Sequence, residues 1–464
     1  MYKSFKLGFF KIPCYASAGF QVTFVAFASF LCPGMFSAIN GLGGGGMVNA
    51  HDINNANTIL NSVFAVVGFF AGSVVNRIGL RMTLALGGFG YPVFVASLLV
   101  YNHTQNVGFL MFASALLGFT AALFWTAQGA VMISYPAEED KGHAISLFWA
   151  IFSMGAVLGG LIPLGQNIHS SSGSVNDGTY IGFIVLTTCG FVLAEFLCNP
   201  KFVVRKDGSR VIAMKNPTWK SEITGLWQTL KTDWYTVLLF PMFLVSNWFY
   251  TYHFQGVNLP MFNIRTRALN NVLYFSAQII GAWIFGFLLD IKMFRRPTRA
   301  RVVGNLLFVL TMGIWAGGYE FQKTYTREKM EEYPELKLDW SDSGYIGPMF
   351  LYIFYGMYDS ACQGYCYWMM GAMTNNSRKL ANFTGFYKGM QPTGAAIAPQ
   401  LDVKRVSYMG QLYTCWGLLA FSLILASPVI WIKVTEHSDL EKDLRFSDET
   451  MEEVVAEPLE AVNH

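Results

Sequence analysis

The sequence predicts an all-α polytopic membrane protein of about twelve transmembrane helices in two pseudo-symmetric six-helix bundles. Three observations carry this. The 464 residues are 53% hydrophobic and only 13% charged, where an ordinary soluble domain holds roughly 25% charged residues. Apolar stretches long enough to cross roughly 30 Å of hydrocarbon as helices recur along the chain. One polar, basic interval divides those stretches six and six.

Taken in order, Lys3, Lys6 and Lys11 precede an apolar run with no small-residue cleavage site behind it, so that run reads as a retained first span. The first-half spans fall near 15–38, 57–76, 82–101, 108–133, 143–166 and 179–198. Those of the second half fall near 234–257, 269–290, 301–318, 345–370, 380–402 and 410–432. Between them, 200–233 carries Lys201, Arg205, Lys206, Arg210, Lys215, Lys220 and Lys231 and reads as a cytoplasmic linker. The expected units are therefore 1–199, 200–233, 234–433 and a tail, 434–464, whose ten acids against Lys442 and Arg445 fit a disordered cytoplasmic segment.

With both termini inside, 23 Lys and Arg fall on the cytoplasmic side and 8 outside, with Lys388 inside a span. That asymmetry sets the orientation. It places Asn102-His103-Thr104 outside as a glycosylation acceptor. The net charge of +3 is too small to imply a nucleic-acid partner, and the seven cysteines show no metal-ligand or disulfide spacing. No nucleophile–base pair stands out either. Neither a metal, a cofactor nor an enzyme is expected.

The halves echo each other. Gly72-Ser-Val-Val-Asn76-Arg77-Ile-Gly79-Leu-Arg81 follows the second span, and Gly286-Phe-Leu-Leu-Asp290 with Arg295-Arg296 follows the eighth. Ser146-Leu-Phe148-Trp149 in the fifth span matches Thr384-Gly-Phe386-Tyr387 in the eleventh, where Lys388 replaces Ala150.

The loop from Gly72 to Arg81 resembles the signature of the major facilitator superfamily, Gly-x-x-x-Asp-Arg-x-Gly-x-Arg, with Asn76 in place of the acid. The resemblance implies the major facilitator fold, and a gating latch at the cytoplasmic face made by Gly72, Asn76, Arg77, Gly79 and Arg81, with Asp290 in the second copy. A narrower resemblance, to the UNC-ninety-three-like branch and its fungal members, rests on Asn40 to Gly46, Tyr135 to Gly142, Ser246 to Tyr252 and Asp359 to Asn375. It implies a transporter moving a small organic solute or ion by alternating access, or else a non-transporting accessory protein of an ion channel or receptor. The expected partners are the lipid bilayer, that solute or ion, and a membrane protein. The fourth span lacks the membrane arginine of many proton-coupled members, and the fifth has Gly160-Leu-Ile-Pro163 where an antiporter signature would differ. Proton antiport therefore does not follow.

Asp359 and Lys388 fall roughly 14 to 18 Å from the same membrane face at 1.5 Å per residue, so they could meet at mid-depth. Intramembrane charges line pathways or pair with partners. If they pair, removing Lys388 alone should be worse than removing both. Around them, Asn247, Tyr250, Gln363 and Gln391 in the second half, with Tyr252, Tyr274, Gln278 and Trp368 as further polar groups of its spans, and Trp125, Gln128 and Trp149 in the first, are the candidates for holding a solute between the halves. The competing reading is helix–helix hydrogen bonding, and for His253 and Gln255 an interfacial belt is favoured. Gly41-Leu-Gly43-Gly-Gly-Gly46 has dinucleotide-like spacing but no strand before it, so it reads as a flexible or closely approached outer loop. Gly155 and Gly159 read as close helix packing, and Tyr319 to Asp342 as a solvated loop.

Overall fold

The computed structural model describes residues 14–47, 50–136, 141–167, 175–205, 230–291, 293–373 and 377–436, a hairpin pairing Phe5–Leu7 with Phe10–Ile12, and single positions between 208 and 227. The acidic tail beyond 436, most of the linker and the Asn76 side chain lie outside the described residues.

Twelve long helical segments are present among the described residues. The first half comprises α1 (Ala18–Gly41), α2 (His51–Val75), α3 (Arg77–Thr104), α4 (Val107–Ser134), α5 (Lys141–Asn167) and α6 (Asp177–Ala194). The second comprises α7 (240–261), α8 (Ile264–Asp290), α9 (Arg296–Gln322), α10 (Ile346–Met373), α11 (Ser377–Val403) and α12 (Tyr408–Ile432). Nine of these are long and apolar enough to cross a membrane. The exceptions are α7, α10 and α11, which carry His253, Gln255, Asp359, Gln363, Lys388 and Gln391 where the others carry aliphatic residues. Polarity within a packed bundle is tolerated where it faces protein or a cavity.

Local chemistry sets the breaks. Pro33 has no amide hydrogen to donate, and α1 widens to a π turn over Phe30–Gly34 around it. The helix α7 is also discontinuous, passing through a π turn at Tyr252–Asn258, so the seventh span is a broken helix preceded by a 3₁₀ turn at Trp234–Leu239. Just inside the start of α3 the chain bends at Gly79, whose φ of 81° and ψ of 161° suit only glycine. The second span starts at His51, earlier than the expected 57, because its first turns carry asparagines and not aliphatic residues.

Each half has its own apolar core. Val25, Leu84, Phe124 and Phe183 belong to the first, and Phe243, Trp315, Tyr355 and Leu412 to the second. Close approach of α1 to α5 depends on glycine: a Cβ on Gly155 would stand 2.4 Å from the Phe30 carbonyl, and one on Gly159 2.7 Å from Ala38 Cβ. The halves meet along α5 against α8 and α2 against α11.

The segment between α9 and α10 is more ordered than a solvated loop. A short helix at Arg327–Glu332 places Arg327 against Asp402, and the Leu338 amide donates to the Met261 carbonyl at 2.7 Å. Asp339 receives a two-pronged contact from Arg265, Nε at 2.8 Å from Oδ1 and Nη2 on Oδ2. That guanidinium, with help from Ser341, Asn263 and Thr266, holds the Asp339 carboxyl well below the usual carboxylate range.

Candidate functional site

Both ends of the described bundle, Ala18 and Ile432, lie on one face; the opposite, far face carries the turn after α1 and the turns between α7 and α8 and between α11 and α12. Hydrogen bonds between the halves are concentrated at the far face. Arg267, on the first turn of α8 and 1% exposed, donates from Nε to the Leu42 carbonyl and from Nη2 to the Gly43 carbonyl, both at 2.7 Å. Asn258 donates to the Gly41 carbonyl at 2.9 Å, Asn271 to the Ala38 carbonyl at 2.8 Å, and the Gly44 amide to Gln255 Oε1 at 2.7 Å. A second cluster centres on Asp402, which accepts from Arg327 at 2.5 Å, Asn54 at 2.7 Å and Gln411 at 2.9 Å.

The glycine run after α1 is therefore an interface and not a free loop. Gly43 has φ of 75°, and a Cβ there would lie 2.5 Å from the Phe254 carbonyl. A Cβ on Gly41 would overlap Asn271 Oδ1 at 1.8 Å. Backbone carbonyls of this turn can reach Arg267 only because no side chain intervenes.

Beneath this seal lies a cavity of about 200 Å³ lined by both halves. The first half contributes Asn40 from α1, Asn57 and Asn61 from α2, and Trp125 and Trp149 from α4 and α5. The second contributes Asn247 and Tyr250 from α7, Gln363 from α10, and Lys388 and Gln391 from α11. Trp149 meets Tyr367 across the halves with ring centroids 6.3 Å apart.

Asp359 and Lys388 do not pair. Asp359 is 0% exposed and accepts from Gln363 Nε2 at 2.7 Å, from the Tyr274 hydroxyl at 3.1 Å and from Gln278 Nε2. Lys388 is half-buried, with Nζ 4.7 Å from the Trp125 ring centroid, 5.3 Å from that of Tyr387 and 5.5 Å from that of Tyr367. Its hydrogen bond goes to Gln391 Oε1 at 3.4 Å, while Gln391 Nε2 stands 3.2 Å from Gln363 Oε1. Where the two charges could have met, two amides intervene. The physical reason is that α8 offers Asp359 neutral donors, Tyr274 and Gln278, which satisfy a buried carboxylate without desolvating a second charge.

Of the candidates read from sequence, Trp125, Trp149, Asn247, Tyr250, Gln363, Lys388 and Gln391 line the cavity, Asp359 sits behind Gln363, and Gln128 is buried without lining it. Gln391 also reaches Asn247 Oδ1 at 3.2 Å and the Tyr387 hydroxyl at 2.8 Å, and Gln363 reaches the Tyr250 hydroxyl at 3.0 Å. His253 and Gln255 are not belt residues: both are buried, His253 stacked on Tyr355 at 4.0 Å and Gln255 in the far-face seal. Of the latch motif, Gly79 forms the bend at the start of α3, Gly72 is buried, and Arg77, Arg81 and Asp290 are exposed at the helix ends nearest the terminal face. Missed from the sequence were Asn54, Asn57 and Asn61, spaced by three and four on one face of α2. The spacing is legible in the sequence, but Asn54 lies ahead of the apolar run that begins at 57.

Comparison with known proteins accords with this geometry. The family described as "Ion channel regulatory protein UNC-93" matches residues 44–395. An UNC93-like protein of Schizosaccharomyces pombe is 51% identical over 94% of this chain and 86% of its own length. UNC93-like protein 1 of Arabidopsis thaliana is 41% identical over 90% of this chain and 91% of its own. The xylose transporter XylE from E. coli, solved in a partially occluded inward open conformation, superposes with a TM-score of 0.61 over 91% of this chain and 99% of that one. At 13% identity the likeness to XylE is one of fold.

Proposed function

The chain belongs to the UNC-93 family and has the major facilitator fold, and from that premise we propose that it moves a small organic solute or ion across a membrane by alternating access. The observation that carries this reading is the cavity between the halves, lined by amides, aromatic rings and Lys388 and capped by hydrogen bonds concentrated at one face. A solute site at the repeat interface with a seal on one side is what alternating access requires of a resting state. Both termini are cytoplasmic in this reading, because of the Lys and Arg asymmetry, so the sealed far face is the outer one and Asn102 lies outside. The units 1–199 and 234–433 move against each other, with 200–233 joining them. Gln363, Gln391 and Lys388 hold the solute with Asn247, Tyr250, Trp125 and Trp149, while Asp359, behind Gln363, senses its presence through that amide.

The second reading, a regulatory partner of an ion channel, is favoured by the family's description as ion channel regulatory proteins. One experiment separates them. Purified protein is screened for ligand-dependent thermal stabilisation across a broad solute panel, hits are tested for saturable uptake into proteoliposomes, and both are repeated with Gln391→Ala. Transport gives a stabilising solute whose uptake saturates and weakens in the variant. A well-folded protein without hits that instead captures a stoichiometric membrane partner contradicts transport.

A further inference from the structure

We infer that the solute accepted by the central cavity is a small organic anion, its charge met by Lys388. This deepens the transport reading and rests on the cavity being the solute site. Among the described residues that line the cavity, Lys388 is the one charged side chain. The carboxylate nearest to it in the polar chain, Asp359, is turned away, fully buried with both oxygens occupied by Gln363, Gln278 and Tyr274.

An ammonium carries three N–H donors. Among the described residues Lys388 spends one, on Gln391 Oε1 at 3.4 Å, and its other close neighbours are the faces of Trp125, Tyr387 and Tyr367. Rings position a cation but do not satisfy its remaining donors as an oxyanion would. A charge in such surroundings is costly until a counter-charge arrives, and a cationic solute would add a like charge to it. The walls suit an organic body, because Trp125, Trp149 and Phe152 pack edge to face around the same space.

The sign of the cavity can be read without knowing the solute. Ser37→Cys on α1 and Ala395→Cys on α11 place thiols on cavity-lining positions of the two halves. Each is labelled in membranes with anionic sulfonatoethyl and cationic trimethylammonioethyl methanethiosulfonate, with the parent chain subtracted and the rate ratio normalised to free 2-mercaptoethanol. The expected result is an anionic-over-cationic ratio above one by about threefold or more, lost in Lys388→Gln and kept in Lys388→Arg. Labelled thiols with a ratio at or below one, or a ratio unchanged in Lys388→Gln, overturn the anion assignment and leave the solute cavity standing. Failure of both reagents at both positions overturns the cavity as a solute site and the anion with it. Should Lys388→Gln not fold, the ratio in the parent background together with Lys388→Arg decides.

Discussion

Asp359 and Lys388 are separated by two amide side chains: Gln363 donates to the carboxylate at 2.7 Å, Gln391 accepts from the ammonium at 3.4 Å, and the two glutamines meet at 3.2 Å. The two charges therefore influence each other through a polar relay and not by contact. A solute that reorders Gln363 or Gln391 alters the surroundings of both.

This arrangement makes a double-mutant cycle informative. In a direct buried pair, removing one partner costs about 3–5 kcal/mol and the second substitution restores part of it. Here Lys388→Met leaves Asp359 with all its donors and trades one long hydrogen bond for the relief of an unpaired charge, so stability should change by no more than about 1 kcal/mol. Adding Asp359→Asn should give no recovery, with a coupling below about 1 kcal/mol in reversible unfolding. A large recovery in the double variant would show an ion pair in solution.

The Arg327–Asp402 contact behaves in the opposite way. Both side chains are buried, at 9% and 6% exposure, and stand 2.5 Å apart. Arg327→Met leaves a buried carboxylate with Asn54 and Gln411 as its side-chain donors among the described residues, and should destabilise by about 3 kcal/mol. Arg327→Met with Asp402→Asn should be the more stable of the two variants, as measured by thermal unfolding in detergent.

How much of this was legible follows from where each residue's information lies. Chain length and apolar runs carry the twelve spans, since any helix crossing hydrocarbon needs them. Gly155 and Gly159 announce a packing seam because only small residues allow it. Lys388, Gln391 and Asn247 were visible as polar residues in apolar runs, which a membrane makes expensive. Tyr274 and Gln278 stand out as polar groups of the eighth span, but their contact with Asp359 was not visible: they sit on another helix, 85 and 81 residues away, and sequence spacing says nothing of their approach. The role of Arg267 was hidden too, because its acceptors are backbone carbonyls of a glycine run and carry no side-chain signature.

That glycine run supplies a conformational prediction. Gly43→Ala puts a methyl 2.5 Å from the Phe254 carbonyl on a backbone that disfavours it, and so wedges the halves apart at the far face. The variant should shift the population toward a far-open state and speed labelling of Ser37→Cys from that side severalfold, for a cost of about 1–3 kcal/mol to the closed state. Unchanged labelling would mean that the turn gives way locally.

Asp339 supplies a pH prediction. Its folded-state pKa is depressed, chiefly by Arg265, so its contribution to stability is fully present above the unfolded value of about 4 and is lost as pH falls through the folded value. The difference in melting temperature between wild type and Asp339→Asn should be constant from about pH 5 to 8 and shrink below about pH 4. Its size should correspond to about 1 kcal/mol, because the pair lies at the aqueous edge of the bundle. A difference that already falls between pH 8 and 6 would point to another titrating group.

The most direct test of alternating access is a pair of distance distributions measured by electron spin resonance. One pair of labels sits at the far face on Val107→Cys and Lys404→Cys, the other near the terminal face on Glu195→Cys and Met293→Cys, all exposed positions. Alternating access gives two populations in each pair with opposite trends: a short far-face distance with a long terminal-face distance, and the reverse, with Gly43→Ala enriching the second. A single unchanging distance in both pairs, in wild type and in Gly43→Ala, would contradict transport and favour a rigid accessory protein.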